Sequence, residues 1–243
     1  MNEPATSEAC IQTRGLRVQF ESAIALDGVD FDLPCGQMIG LVGPPAGGKT
    51  TLLHVCLGRL KPSAGSARIF GMAPQDLREK RAWIGYLPQR PFRDFPPQTR
   101  AIDFVLEGAF PADQVRRRPP ELMENAARAL ELADTPQLAE RPIGGLDAVR
   151  FWRVRLARAL VNRPRLLILD ELGDGLMAHE RLALFKRVAL IKDQLELTAL
   201  LVARDIPVLQ DIVHEIVCLN RKILYRGEPS FLPHDTVMKM YPK

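Results

Sequence analysis

Lys49 and Thr50 close the run Gly43-Pro44-Pro45-Ala46-Gly47-Gly48-Lys49-Thr50, which fits the pattern G-x-x-x-x-G-K-[ST]. The chemistry that asks for this spacing is the gripping of a polyphosphate. Glycines let backbone N–H groups close around the phosphates, and the following helix start adds positive potential. Lys49 reaches the outer phosphates, and the Thr50 hydroxyl can ligate magnesium. The expected ligands are therefore ATP and Mg2+, with Gly43, Pro44, Pro45, Ala46, Gly47, Gly48, Lys49, Thr50 and Thr51 as the nucleotide-binding residues. A second constellation stands at Asp170 and Glu171, which end the apolar run Leu166-Leu167-Ile168-Leu169. An apolar run ending in two acids is ordinarily just a strand end. Coupled to the glycine-rich loop it becomes a site, because α/β sheets present ligand-handling residues at their strand ends. Asp170 is expected to hold magnesium through water, and Glu171 to orient or polarise the attacking water of a phosphoryl transfer.

These residues need a strand and a helix around the loop and a strand under the acids. Residues 38–42, all apolar or glycine, read as a buried strand entering the loop, and 50–57 as the helix leaving it. Further strands are expected over 16–20, 29–33, 67–70 and 82–86, with turn residues between them. From 98 to 162 the pattern turns helical, with helices over 100–107, 121–133 and 148–162, the last stopped by Pro164. Strands over 166–169, 198–202 and 216–219 then alternate with helices near 180–192 and 207–212. Such alternation calls for a parallel sheet with flanking helices. Arg116-Arg117-Arg118-Pro119-Pro120 is expected to be an exposed loop.

Composition narrows the class. With 243 residues, one substantial core is affordable in one domain or two. Lys and Arg exceed Asp and Glu by only 33 to 29, too small a surplus to imply nucleic acid, and none is expected as a partner. Cys10, Cys35, Cys56 and Cys218 lack metal spacing and read as free thiols in a reducing compartment. The first residues show no basic-then-apolar leader, and no segment approaches the roughly 20 apolar residues of a spanning helix. Any membrane role is expected to be peripheral.

Over residues 11–243 these motifs, in this order, resemble the nucleotide-binding domain of ABC transporters. The resemblance implies a P-loop NTPase core of RecA type with a parallel sheet (about 1–97 and 163–243), an N-terminal antiparallel β subdomain and an inserted helical subdomain (about 98–162), in one domain spanning 1–243. It also implies a ring under adenine at Phe20, where the alternative is a core phenylalanine. Gln89 falls where the family has a glutamine looking toward magnesium. Leu156-Ala157-Arg158-Ala159-Leu160 matches the helix before the acidic strand. A narrower similarity, at Pro88-Gln89-Arg90, Asp94-Phe95-Pro96, Val105-Leu106-Glu107-Gly108 and the tail from Leu219 to Tyr241, is to the ATPase subunits of manganese and zinc importers. The implied partners are transmembrane permease subunits, a second ATP-binding domain in a homodimer or heterodimer, and a solute-binding protein. The implied location is the cytoplasmic face of the cell membrane.

The chain also departs from the family. Counting back from Leu156 without gaps, Leu146-Asp147-Ala148-Val149-Arg150 stands where the signature Leu-Ser-Gly-Gly-Gln is expected to hold the partner's γ-phosphate. Asp147 is a good N-cap for its own helix. Facing phosphate it is unfavourable: two like charges about 4 Å apart repel by roughly 4 kcal/mol at an effective dielectric near 20, which Arg150 or Arg153 would have to offset. A gapped register, Ile143-Gly144-Gly145-Leu146, retains two glycines. Arg204 replaces a histidine near the γ-phosphate. It cannot exchange protons at physiological pH but can stabilise transferring charge. Met177 replaces an aspartate that bridges the dimer, and Ala46 replaces a glycine. Two functions are thus expected to compete. One is an ATPase that drives transport, with Glu171, Lys49, Gln89 and Arg204 catalytic and Thr50, Gln89 and Asp170 around Mg2+. The other is a regulatory ATP-binding subunit with little hydrolysis of its own, paired with an active partner.

Overall fold

The computed structural model describes residues 9–21, 23–89, 95–109, 120–204 and 206–241. In chain order the elements are β1 (Ala9–Phe20), β2 (Ala23–Pro34), β3 (Met38–Val42), α1 (Lys49–Cys56), β4 (Ala64–Ile69), β5 (Ile84–Leu87), α2 (Ala101–Leu106), α3 (Pro120–Leu132), α4 (Ala148–Leu160), β6 (Leu166–Asp170), α5 (Ala178–Leu195), β7 (Thr198–Ala203), β8 (Glu215–Asn220), β9 (Lys222–Gly227) and α6 (His234–Met240). The class is α/β, as the alternation in the sequence implies. Of the described residues, those up to 81 together with those from 198 onward form one compact unit, and those between 82 and 197 form another.

The first unit holds two sheets. One is antiparallel: β1 pairs with β2 on one side and β4 on the other. In the other, β3 runs parallel to β7 and β8, and β9 turns back antiparallel on β8. Every residue of β3 and β7 is buried, the pattern of parallel strands covered on both faces. In the second unit β5 and β6 are a parallel pair. Helices α2, α3 and α4 pack on one another, and α4 lies against β5. Its face Trp152, Arg155, Leu156, Ala159 is buried, which is the i, i+3, i+4, i+7 stripe of a core-facing helix.

Four expectations need correction. The strand expected over 82–86 starts two residues later, because Arg78–Trp83 forms a 3-10 helix. No helix forms over 207–212. The segment makes turns instead, with Leu209 N and Gln210 N donating to Ile206 O (2.9 and 3.2 Å) and Ile212 N and Val213 N to Leu209 O (2.9 and 2.9 Å). Burial of Leu209 and Val213 holds these turns in place. Cys10 and Cys35 are not free thiols. They lie where β1 and β2 pair, with Cα atoms 4.9 Å apart, and are joined by a disulfide. Cys56 and Cys218 are free and buried, and burial pushes their thiols up to about 12 and about 11, consistent with no chemical role. Finally, β9 and α6 were not foreseen. Arg116, Arg117, Arg118 and Pro119 lie outside the described residues, as do Arg90, Asp94 and Asp205. Among the described residues no helix is long and apolar enough to cross a membrane.

Candidate functional site

The glycine-rich loop lies in the first unit, between the end of β3 and the start of α1. Its composition follows from close packing. A Cβ on Gly43 would stand 2.0 Å from the Leu219 carbonyl oxygen of β8, so no larger residue fits without moving a sheet strand. Gly48 is the N-cap of α1 at φ 96, and a Cβ there would meet Ala25 O at 2.5 Å. The loop is further pinned by Arg221 N donating to Gly47 O (2.8 Å) and Gly47 N to Pro44 O (3.1 Å). Ala46 adopts φ 59, which explains the family's glycine: this position requires the left-handed region, where a Cβ crowds the following carbonyl.

Leu52 N makes a helical bond to Gly48 O (2.9 Å), so the amides ahead of it, those of Thr50 and Thr51 included, have no acceptor within the helix and face its open N-terminal end. An anion is favoured there. The Lys49 side chain is buried, and its Nζ donates to Gly43 O (2.8 Å) and Pro44 O (3.0 Å), lying back over the loop that it would share with a phosphate. Pro45, Ala46 and Thr50 are exposed. Phe20, at the tip of the β1–β2 hairpin, is 49% exposed, so it is not a core phenylalanine. Arg204 follows β7 and is exposed, and its carbonyl accepts from the Tyr241 hydroxyl (2.5 Å).

The acidic pair lies in the second unit. Strand β6 is wholly buried and delivers Asp170, only 2% exposed, at its end. Glu171 then takes φ 53, a conformation that side-chain-bearing residues seldom hold outside a constrained turn. Asp174 N donates to Glu171 O (3.1 Å), closing that turn. Gln89, after β5, reaches the same place: its Nε2 donates to Glu171 Oε2 (3.0 Å) and Asp174 Oδ2 (3.1 Å). The structure therefore brings Gln89 and Glu171 together, and adds Asp174, which sequence reasoning missed. Its only signal was a carboxylate between Gly173 and Gly175. Arg155 was missed too. It is 7% exposed, and its guanidinium donates to the carbonyls of Pro88 and Gln89. Its signal was a cation on the apolar stripe of α4.

At the start of α4 the sequence places Leu146-Asp147-Ala148-Val149-Arg150, and the helix begins at Ala148 with Asp147 as N-cap. Asp147 Oδ1 accepts from Arg150 N (2.8 Å), and its other oxygen lies 3.4 Å from Arg150 Nη1. Arg153 pairs instead with Asp134 (2.6 Å), so Arg150 is the cation that offsets Asp147. The gapped alternative, Ile143–Gly145, is a separate 3-10 turn ahead of the helix. An open groove of about 710 Å³ runs along this helix start, lined by Asp147, Val149, Arg150, Arg153, Met177 and Glu180 among others. Met177 is 61% exposed, and its N–H donates to Glu180 Oε2 (2.9 Å) ahead of α5.

Known proteins resemble the chain over most of its length. The profile of the family described as "ABC transporter" matches residues 26–172. The zinc import ATP-binding protein ZnuC of Pseudomonas syringae pv. syringae (strain B728a) is 29% identical over 229 residues, covering 94% of this chain and 80% of that protein. The protein of the same name from Pseudomonas aeruginosa (strain UCBPP-PA14) is 30% identical over 227 residues, covering 93% and 77%. Among solved structures, cbiO1 from Clostridium perfringens, part of the ABC transporter complex cbiONQ, superposes with a TM-score of 0.80 at 22% identity over 96% of this chain and 94% of that one. A dimeric ATP-binding cassette in a post-hydrolysis state, bound to ADP and Pi, superposes with a TM-score of 0.74 at 20% identity, covering 90% and 98%.

Proposed function

Since the chain belongs to the ABC transporter family and is an ATP-binding subunit of that kind, we propose that it couples ATP binding and hydrolysis to transport through a membrane permease, with a metal cation as cargo. The carrying observation is the loop itself: closely packed glycines, amides at the open end of α1, and Lys49 lying on its carbonyls. In this reading residues 43–51 take the triphosphate and Phe20, exposed at its hairpin tip, stacks on adenine. The donor set suits magnesium. Thr50, Gln89 and Asp170 offer hard oxygens, and no cluster of three His, Cys, Asp or Glu exists among the described residues. The remaining ligands would be phosphate oxygens and water, as magnesium prefers. When bound, the cation offsets charge on the transferring phosphoryl group. Glu171 accepts a hydrogen bond from the attacking water, and Arg204 supplies fixed positive charge. The metal cargo rests on the names of the zinc-import relatives. The chain would act at the cytoplasmic face of the membrane, paired with a second ATP-binding domain and served by a solute-binding protein.

One observation favours the second reading, a regulatory subunit beside an active partner: the position of the signature serine holds a carboxylate already engaged in capping its own helix. Calorimetry and phosphate release decide. The wild type should bind magnesium-ATP, K49A should lose binding, and E171Q in the complex with its permease should bind while releasing phosphate about 10²–10⁴ times more slowly. Equal, negligible release by wild type and E171Q establishes the regulatory subunit. Absence of any binding heat in the wild type overturns both readings.

A further inference from the structure

Arg155 is out of place by every rule of folding. It lies on the buried stripe of α4 beside Trp152, Leu156 and Ala159, where a leucine or methionine would pack without desolvating a charge. Burial, and then the charge of Arg158, push its pKa down to about 10, so the guanidinium stays charged at neutral pH. Stacking on the Trp152 ring, 3.9 Å from its centroid, recovers part of the cost. Its hydrogen bonds go to the backbone carbonyls of Pro88 and Gln89, the latter at 3.2 Å. Gln89 is the residue whose side chain bridges Glu171 and Asp174. Both carboxylates accept from the amide nitrogen, Nε2.

We infer that Arg155 is a positioning residue: from inside the helical packing it clamps the backbone of Gln89 and so holds the Gln89 amide against Glu171 and Asp174. The inference rests on the proposed role of Gln89 toward magnesium. Arg155 touches neither nucleotide nor water, and acts through the place of another residue. Supporting groups of this kind change metal affinity by about 10- to 100-fold when removed.

The test is a double-mutant cycle on the full-length chain, reading ATP affinity by calorimetry with magnesium and again with the metal chelated. The ratio of the two affinities is the cation's increment. R155M, which keeps the volume and drops the charge, should reduce this increment about tenfold while leaving metal-free ATP affinity within about twofold. Q89A should lose a similar factor, and Q89A/R155M should lose no more than Q89A. R155K, which keeps the positive charge on a shorter side chain, should restore part of the increment. A merely structural role for Arg155 would weaken ATP with and without metal alike, and would add to Q89A. Either result overturns the inference, as does an unchanged increment in R155M. Should R155M fail to fold, R155Q replaces it with the same expectations. Failure of the wild type to bind ATP removes the functional reading and this inference together. A normal wild type with an unaltered R155M removes this inference alone.

Discussion

Two neighbouring positions of the phosphate loop share a left-handed backbone and should respond oppositely to the same pair of residues. Ala46 holds φ 59 with its side chain exposed, whereas Gly48 holds φ 96 with Ala25 O and Leu26 Cδ2 only 2.5 and 2.7 Å from where a Cβ would sit. For A46G, removing the left-handed penalty returns about 1–2 kcal/mol. The looser unfolded chain takes back about 0.4–1 kcal/mol. The net is a stabilisation of about 0.7 kcal/mol, which for a chain of this length raises Tm by about 2 °C. For G48A, backbone strain of about 1–3 kcal/mol adds to overpacking of about 1–3 kcal/mol. The sum, about 4 kcal/mol, is a large part of a typical domain's stability of about 5–15 kcal/mol. Urea denaturation at neutral pH, with Tm from calorimetry, measures both. Because the m-value reports exposed surface, it should be the same in all three proteins. A lower Tm for A46G, or a G48A protein as stable as wild type, would refute the claim that backbone conformation and the Ala25 carbonyl dictate these residues.

Other expectations concern helix ends and pH. D147A removes the acceptor of the Arg150 amide and should cost about 1 kcal/mol in urea denaturation, whereas D147S keeps a capping oxygen and should be nearly neutral; equal losses would show that Asp147 does not act as a cap. His54, on α1, has its pKa lowered by burial and then by the charge of Arg59. The unfolded chain therefore binds the proton more readily, and stability rises with pH through the window between the two values. Its contribution is complete above the ordinary value of 6.5 and is lost as pH falls through the folded-state pKa. Thermal melts of wild type and H54Q should diverge as the medium is acidified below that value, with wild type losing more. Parallel curves would remove His54 as the cause.

Residue by residue, legibility follows the range of the interactions involved. The phosphate loop could be read because a strand, six loop residues and a helix are contiguous, and each announces itself within a few positions: the apolar run of β3, the glycines, and the helical period after Lys49. The start of α4 at Asp147 could be read for the same reason, since a cap bonds an amide three residues away. Strand β9 could not, because its residues alternate between half-buried and exposed and it becomes a strand only by pairing with β8. The helix read over 207–212 failed where burial of Leu209 and Val213 decided the path.

From the sequence alone follow the glycine loop with its lysine, the acids at the end of a buried strand, and the alternation that makes the chain α/β. Periodicity, capping and steric demands are local, so the order of residues is enough to express them. Tertiary structure alone decided that Gln89 lies between Glu171 and Asp174, 82 and 85 positions away, that Arg155 holds its backbone from 66 positions away, and that Cys10 bonds Cys35. A hydrogen bond or a disulfide forms only within a few ångströms, and no pattern along the chain states which distant residues packing will bring that close.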